Sequence, residues 1–143
     1  MNTFEFLALS VALIPYLLCH ALIIALLLRL RRGLPAAHRR VSRWLLVAMA
    51  LPVVGPFVSS VALARLARDY QAATAHLAEF RSDCGHAAGI GYGLIYAAAT
   101  WSGSSELGLL SLALLVLFFW QARAARRALV QPTLVPLAPV AAV

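Results

Sequence analysis

Four long apolar tracts, separated by blocks of arginine, constrain this chain more than any other feature. The tracts cover residues 6–28, 44–63, 84–103 and 104–122. Each is close to the ~20 apolar residues that an α-helix needs to cross a bilayer core of about 30 Å. Of the 143 residues, 63% are apolar and 12% charged, against about 25% charged in an ordinary soluble domain. Little length is left for a separate soluble domain. The expected fold is an all-α integral membrane protein with about four apolar helical segments and one amphipathic interfacial helix. Residues 1–128 form a single membrane domain, and 129–143, with three prolines and no charged side chain, form a disordered tail.

The net charge is +7, from twelve arginines, no lysine and five acids. In a soluble protein that excess would point to nucleic acid. Beside apolar spans it is instead the mark of membrane orientation, since cytoplasmic loops are enriched in Lys and Arg. No nucleic-acid partner is expected. Arg29, Arg31, Arg32, Arg39, Arg40 and Arg43 form the first block, and Arg123, Arg126 and Arg127 the last. They set topology and contact anionic lipid headgroups, at about 1 kcal/mol per arginine near the surface.

Arginine position also discriminates between topologies. If all four tracts cross, the arginines divide equally between the two sides in either orientation. If 44–63 instead re-enters, turning at Pro52, Gly55 and Pro56, all twelve fall on one side. That arrangement has three full spans, an N-terminus outside and a cytoplasmic C-terminus. It satisfies the orientation rule, and prolines and glycine in the turn make it sterically accessible. Use of arginine without lysine, beside abundant Ala and Leu, fits a GC-rich bacterial genome, so the expected location is the bacterial inner membrane. The N-terminus lacks the basic start and short apolar core of a cleavable signal.

Residues 65–83 carry Leu66, Tyr70, Ala73, Leu77 and Phe80 at helical spacing, which predicts an amphipathic helix at the membrane interface or against neighbouring helices. Arg65 and Asp69 are placed to pair, and Ser82 or Asp83 to cap the next helix. The run 102–106, rich in Ser and Gly, predicts the turn of a hairpin between the last two tracts, because one 39-residue helix would be about 58 Å long.

Gly85, Gly89, Gly93 and Ala97 recur every four residues. This pattern lets another backbone approach closely, either from the 6–28 helix or from another membrane protein or a second copy. Ile90, Gly91, Tyr92 and Gly93 resemble the core of a potassium-channel filter, but Gly89 stands where that filter has Thr, and the glycine spacing favours a continuous helix. His20 is the one strongly polar side chain of the first tract and the intramembrane polar candidate. It lies too far along the axis from Cys84 and His86 to share an ion with them, and no carboxylate within the membrane is available to orient it. The two cysteines, Cys19 and Cys84, do not form a disulfide framework. No nucleophile–base set, paired carboxylates or phosphate loop occurs. No cofactor, metal or catalytic residue is assigned.

The basic loop, Trp44 and the tract from Pro52 to Pro56 resemble the two-helix membrane anchor preceding some bacterial phospholipase D-like enzymes. The likeness covers about the first 65 residues, and the catalytic His-x-Lys motifs of that family are absent. The expected function is therefore that of an accessory or scaffolding subunit, or a homo-oligomer, acting through helix packing. The alternatives are a small transporter or channel using the glycine-rich helix and His20, and a lipid-modifying membrane enzyme.

Overall fold

In a computed structural model of the chain, the described residues are 3–51, 53–77 and 82–130, with side chains of the first helix described at position 14 and from 16 onward. They form five α-helices: α1 (Thr3–Arg32), α2 (Arg43–Ala48), α3 (Gly55–Thr74), α4 (His86–Ser102) and α5 (Ser105–Val130). A short 3-10 turn, Ala36–His38, lies between α1 and α2.

The expectation of about four membrane segments is corrected. Among the described residues one helix, α5, is long and apolar enough to cross a membrane. Helix α4 has 17 residues, about 26 Å at 1.5 Å per residue. Helix α2 has only six. Helix α3 carries Arg65, Arg68 and Asp69 within its length. Much of the apolar sequence is spent inside the protein. Leu27, Leu46, Leu63, Leu66, Tyr70 and Phe118 are fully buried in one core. Mean apolarity alone does not separate core-facing residues from lipid-facing ones.

The tract 44–63 is not one element. It contains most of α2, a reversal, and the first half of α3. Gly55 and Pro56 open α3, where proline's fixed φ and missing N–H are tolerated. The Gly55 N–H donates to the Leu51 carbonyl at 2.7 Å, and a Cβ at Gly55 would collide with the Met49 carbonyl. Pro52 lies outside the described residues. The chain leaves and returns at the same end, for the Val41 N–H donates to Asp69 Oδ2 at 2.9 Å.

Among the described residues of 65–83 there is no separate interfacial helix. Helix α3 continues unbroken to Thr74, and Leu66, Tyr70 and Ala73 face the core. Phe80 lies outside the described residues. Asp69 does not pair with Arg65 but accepts from the Val41 backbone.

Helix α4 lies between α3 and α5. It is antiparallel to both, since residues rising along α4 (Gly89, then Gly93) meet residues descending along α3 (Leu63, then Ser60), and Gly85 and Gly91 meet Phe118 and Leu114 of α5. The α4–α5 hairpin turns where the sequence indicates. Gly103 takes φ +67°, with its N–H on the Ala99 carbonyl at 2.9 Å, a left-handed helix end that glycine adopts without steric penalty. At the start of α4, Asp83 accepts from the N–H groups of Gly85 and Ala87 at 2.9 and 3.0 Å.

Candidate functional site

Arginines that are far apart in sequence meet at one end of the bundle. The Arg126 stem lies over Gly33 at the end of α1, so close that a Cβ there would sit 2.7 Å from Nε. A cation at that position also faces the negative end of the α1 dipole. Arg31 and Arg39 donate through Nε to the carbonyls of Val41 and Leu34, both at 2.6 Å. Arg68 of α3 donates to His86 Nε2 at the start of α4, at 3.2 Å. Arg40, Arg43, Arg123 and Arg127 are exposed. Between the last turns of α1 and α5 opens a cleft of about 250 Å³, lined by Leu26, Arg29, Leu30, Phe119, Arg123 and Arg126. The carboxylates of Asp69 and Asp83 accept from backbone N–H groups at this same end.

The loop following α1 is fastened to α3 from beneath. Tyr70 is fully buried and its hydroxyl donates to the Leu30 carbonyl at 2.7 Å. Burial pushes the Tyr70 hydroxyl up to about 12, against the opposing pull of Arg126. Asp69 beside it holds Val41. Together these two α3 residues fix where the basic loop leaves the bundle. In the sequence, Tyr70 is marked by its place on the Leu66–Ala73 stripe and Asp69 only by its spacing from Arg65, with which it does not pair.

The glycine face is filled within the chain, and its main neighbour is α3 rather than α1. A Cβ at Gly89 would lie 2.8 Å from Leu63 Cβ, and one at Gly93 would strike the Ser60 backbone. Gly85 rests on Phe118 of α5 and has φ +86°. Ala97, the last member of the series, is half-buried.

His20 faces α4. Its Nδ1 lies 2.9 Å from the Tyr16 carbonyl and its Nε2 3.1 Å from the Tyr96 hydroxyl. A carbonyl can only accept, so Nδ1 carries a proton, and in the neutral ring Nε2 accepts from Tyr96. Tyr96 in turn stacks on Tyr92, with centroids 5.5 Å apart. The i, i+4 spacing of Tyr92 and Tyr96 was the available signal for this ladder. The histidine and Tyr96 sit on the wall of an open groove of about 400 Å³, which also presents Thr100, Ser104, Ser105 and Ser111.

The histidines and cysteines singled out in the sequence are not brought together. His20 is held by Tyr16 and Tyr96, and His86 by Arg68. Cys19 is exposed and Cys84 buried. Burial raises the Cys84 thiol, with Thr74 opposing and Asp83 adding to the rise. The turn residues Gly55 and Pro56 are buried at the opposite end from the arginines, near the edge-to-face contact of Phe57 with Trp101.

The outer surface is strongly apolar. Ile14, Leu18 and Leu22 of α1 and Leu109, Leu112 and Val116 of α5 are all more than half exposed. Trp101 is 82% and Trp120 70% exposed, about 23 Å apart along the helix axis, counting 1.5 Å per residue from Ser105 to Trp120. No known family model matches this chain, and no characterised protein or solved structure compared with it does so either.

Proposed function

We propose that this is a small protein of the bacterial cytoplasmic membrane that acts through helix packing, as an accessory or scaffolding subunit or as a homo-oligomer. The observation that carries the reading is the exposed apolar face of α1 and α5. Monomeric soluble proteins rarely leave so many large apolar side chains together on the surface. In a bilayer that face meets acyl chains or another helix at no hydrophobic cost. The tryptophans stand at the levels of two membrane interfaces, and the arginine end lies on the cytoplasmic side, with the C-terminus there and the N-terminus opposite. Because α3 and α5 fill the glycine face, the surface offered to a partner is the outer face of α1 and α5.

Fractionation followed by gentle detergent purification and native mass spectrometry tests the reading. The expected result is a carbonate-resistant membrane protein recovered with a stoichiometric partner or as a defined homo-oligomer. A chain found in the soluble fraction, or a strict monomer without a partner, overturns it. The open groove at His20 favours a second reading, a small transporter. It requires solute flux in proteoliposomes that His20→Ala abolishes.

A further inference from the structure

We propose that the cleft between the last turns of α1 and α5 binds one anionic glycerophospholipid. Its phosphodiester is held by Arg29, Arg123 and Arg126, and an acyl chain lies along Leu26 and Phe119. The inference rests on the membrane reading above and names a ligand for its arginine end.

The α5 wall of the cleft changes from apolar to cationic toward its end, and the α1 wall sets Arg29 between Leu26 and Leu30. On α5, Phe119, Arg123 and Arg126 succeed one another at spacings of four and three, so they form one stripe. On α1, Leu26 is followed by Arg29 and Leu30 at three and four. The two helices run the same way, since both end at this cleft. A phospholipid has the same gradient, with hydrocarbon deep and phosphate at the surface. Two helices therefore present one amphipathic slot, not merely a basic rim.

Charge favours an anion there. Three guanidiniums line a cleft of about 250 Å³. The acids described at this end, Asp69 and Asp83, are engaged with backbone N–H groups. Residues 131–143, which follow α5, contain no acidic side chain. Like charges gathered beside a low-dielectric wall repel, and a bound phosphodiester converts that repulsion into charge-assisted hydrogen bonds. Arginine's planar fork fits phosphate oxygens better than a point charge would. Arg126 is already positioned, because its stem is packed over Gly33, so less side-chain freedom is lost on binding.

The test uses the purified full chain, delipidated in neutral detergent and read by native mass spectrometry. It is offered phosphatidylglycerol, phosphatidylcholine or inorganic phosphate. The expected result is one phosphatidylglycerol per chain, retained in preference to phosphatidylcholine. The double variant Arg29→Gln/Arg123→Gln should bind it about thirtyfold more weakly, the factor for two arginines at ~1 kcal/mol each. The variant Arg40→Gln/Arg43→Gln, with the same net charge, should retain it.

Equal loss in both double variants would show general surface charge and overturn the site. Equal retention of the two lipids, or binding of inorganic phosphate without phosphatidylglycerol, would overturn it too. If the first variant fails to fold, the competition between the two lipids on the wild-type chain decides alone. A wild-type chain absent from the membrane fraction would instead count against the membrane reading, which separates the two failures.

Discussion

Asp69 and Tyr70 are neighbours on α3 that fasten different parts of the chain. Asp69 is buried and accepts from the Val41 N–H. Its loss leaves that donor without a partner, a cost of about 1–3 kcal/mol. Asp69→Ala should lower the thermal midpoint in detergent, and Asp69→Asn, which keeps an oxygen acceptor, should lower it less. Equal midpoints for Asp69→Ala and wild type would show that the bond is not formed. Tyr70 gives a pH dependence. Its folded pKa is raised from 10.0 to about 12 by burial, so its contribution to stability is complete below pH 10 and disappears as pH rises toward 12. Alkaline melts should lose stability through that window, and Tyr70→Phe should flatten the loss while removing the bond to Leu30. A Tyr70→Phe profile as steep as wild type would assign the loss to other groups. Neither role was legible in the sequence, because both depend on Val41 and Leu30, which are 28 and 40 residues away.

The elements differ in how far their sequence reveals them. The α4–α5 hairpin is legible because Gly103 adopts a helix-ending conformation that few other residues take and Ser104 supplies the next cap, accepting from the Leu107 N–H at 3.3 Å. In the 44–63 tract the prolines and glycine signal a turn, but not the short α2 before it or the length of α3 after it, because hydropathy continues across the reversal. The division at residue 65 fails for the opposite reason. Arg65 and Arg68 leave the helix through exposed positions, and α3 continues beneath them. The glycine series announces close packing but not its partner. A graded test follows from the structure. Gly93→Ala strikes the Ser60 backbone, which cannot swing aside, so a loss of about 1–3 kcal/mol is expected. Gly91→Ala approaches Leu114 Cδ1 at 3.2 Å, a flexible group, and should cost less. Gly108→Ala enters open space on α5 and should stabilise by up to ~1 kcal/mol. If melting midpoints rank Gly93→Ala with Gly108→Ala, the close approach of α3 and α4 is wrong.

For the whole molecule, apolar composition did not divide core from outer surface, and so overcounted the membrane segments. What survives at this scale is directional. Arginines from separate blocks share one end, while the 102–106 turn and Trp101 stand at the other. On the membrane reading proposed above, orientation reduces to which end faces outward. The native thiols report this poorly, since Cys84 is buried and its thiol raised, and the thiolate is the reactive form. A cysteine at exposed Ser102 avoids both difficulties. In a Cys19→Ala background, Ser102→Cys should react with a membrane-impermeant maleimide in intact cells, while Arg40→Cys should react only after the membrane is opened. Cys84 should stay unlabelled in both states until the protein is denatured. Labelling of Arg40→Cys from outside would invert the proposed orientation. It would also place the α1–α5 cleft opposite the cytoplasmic leaflet, whose anionic lipids make its arginines useful.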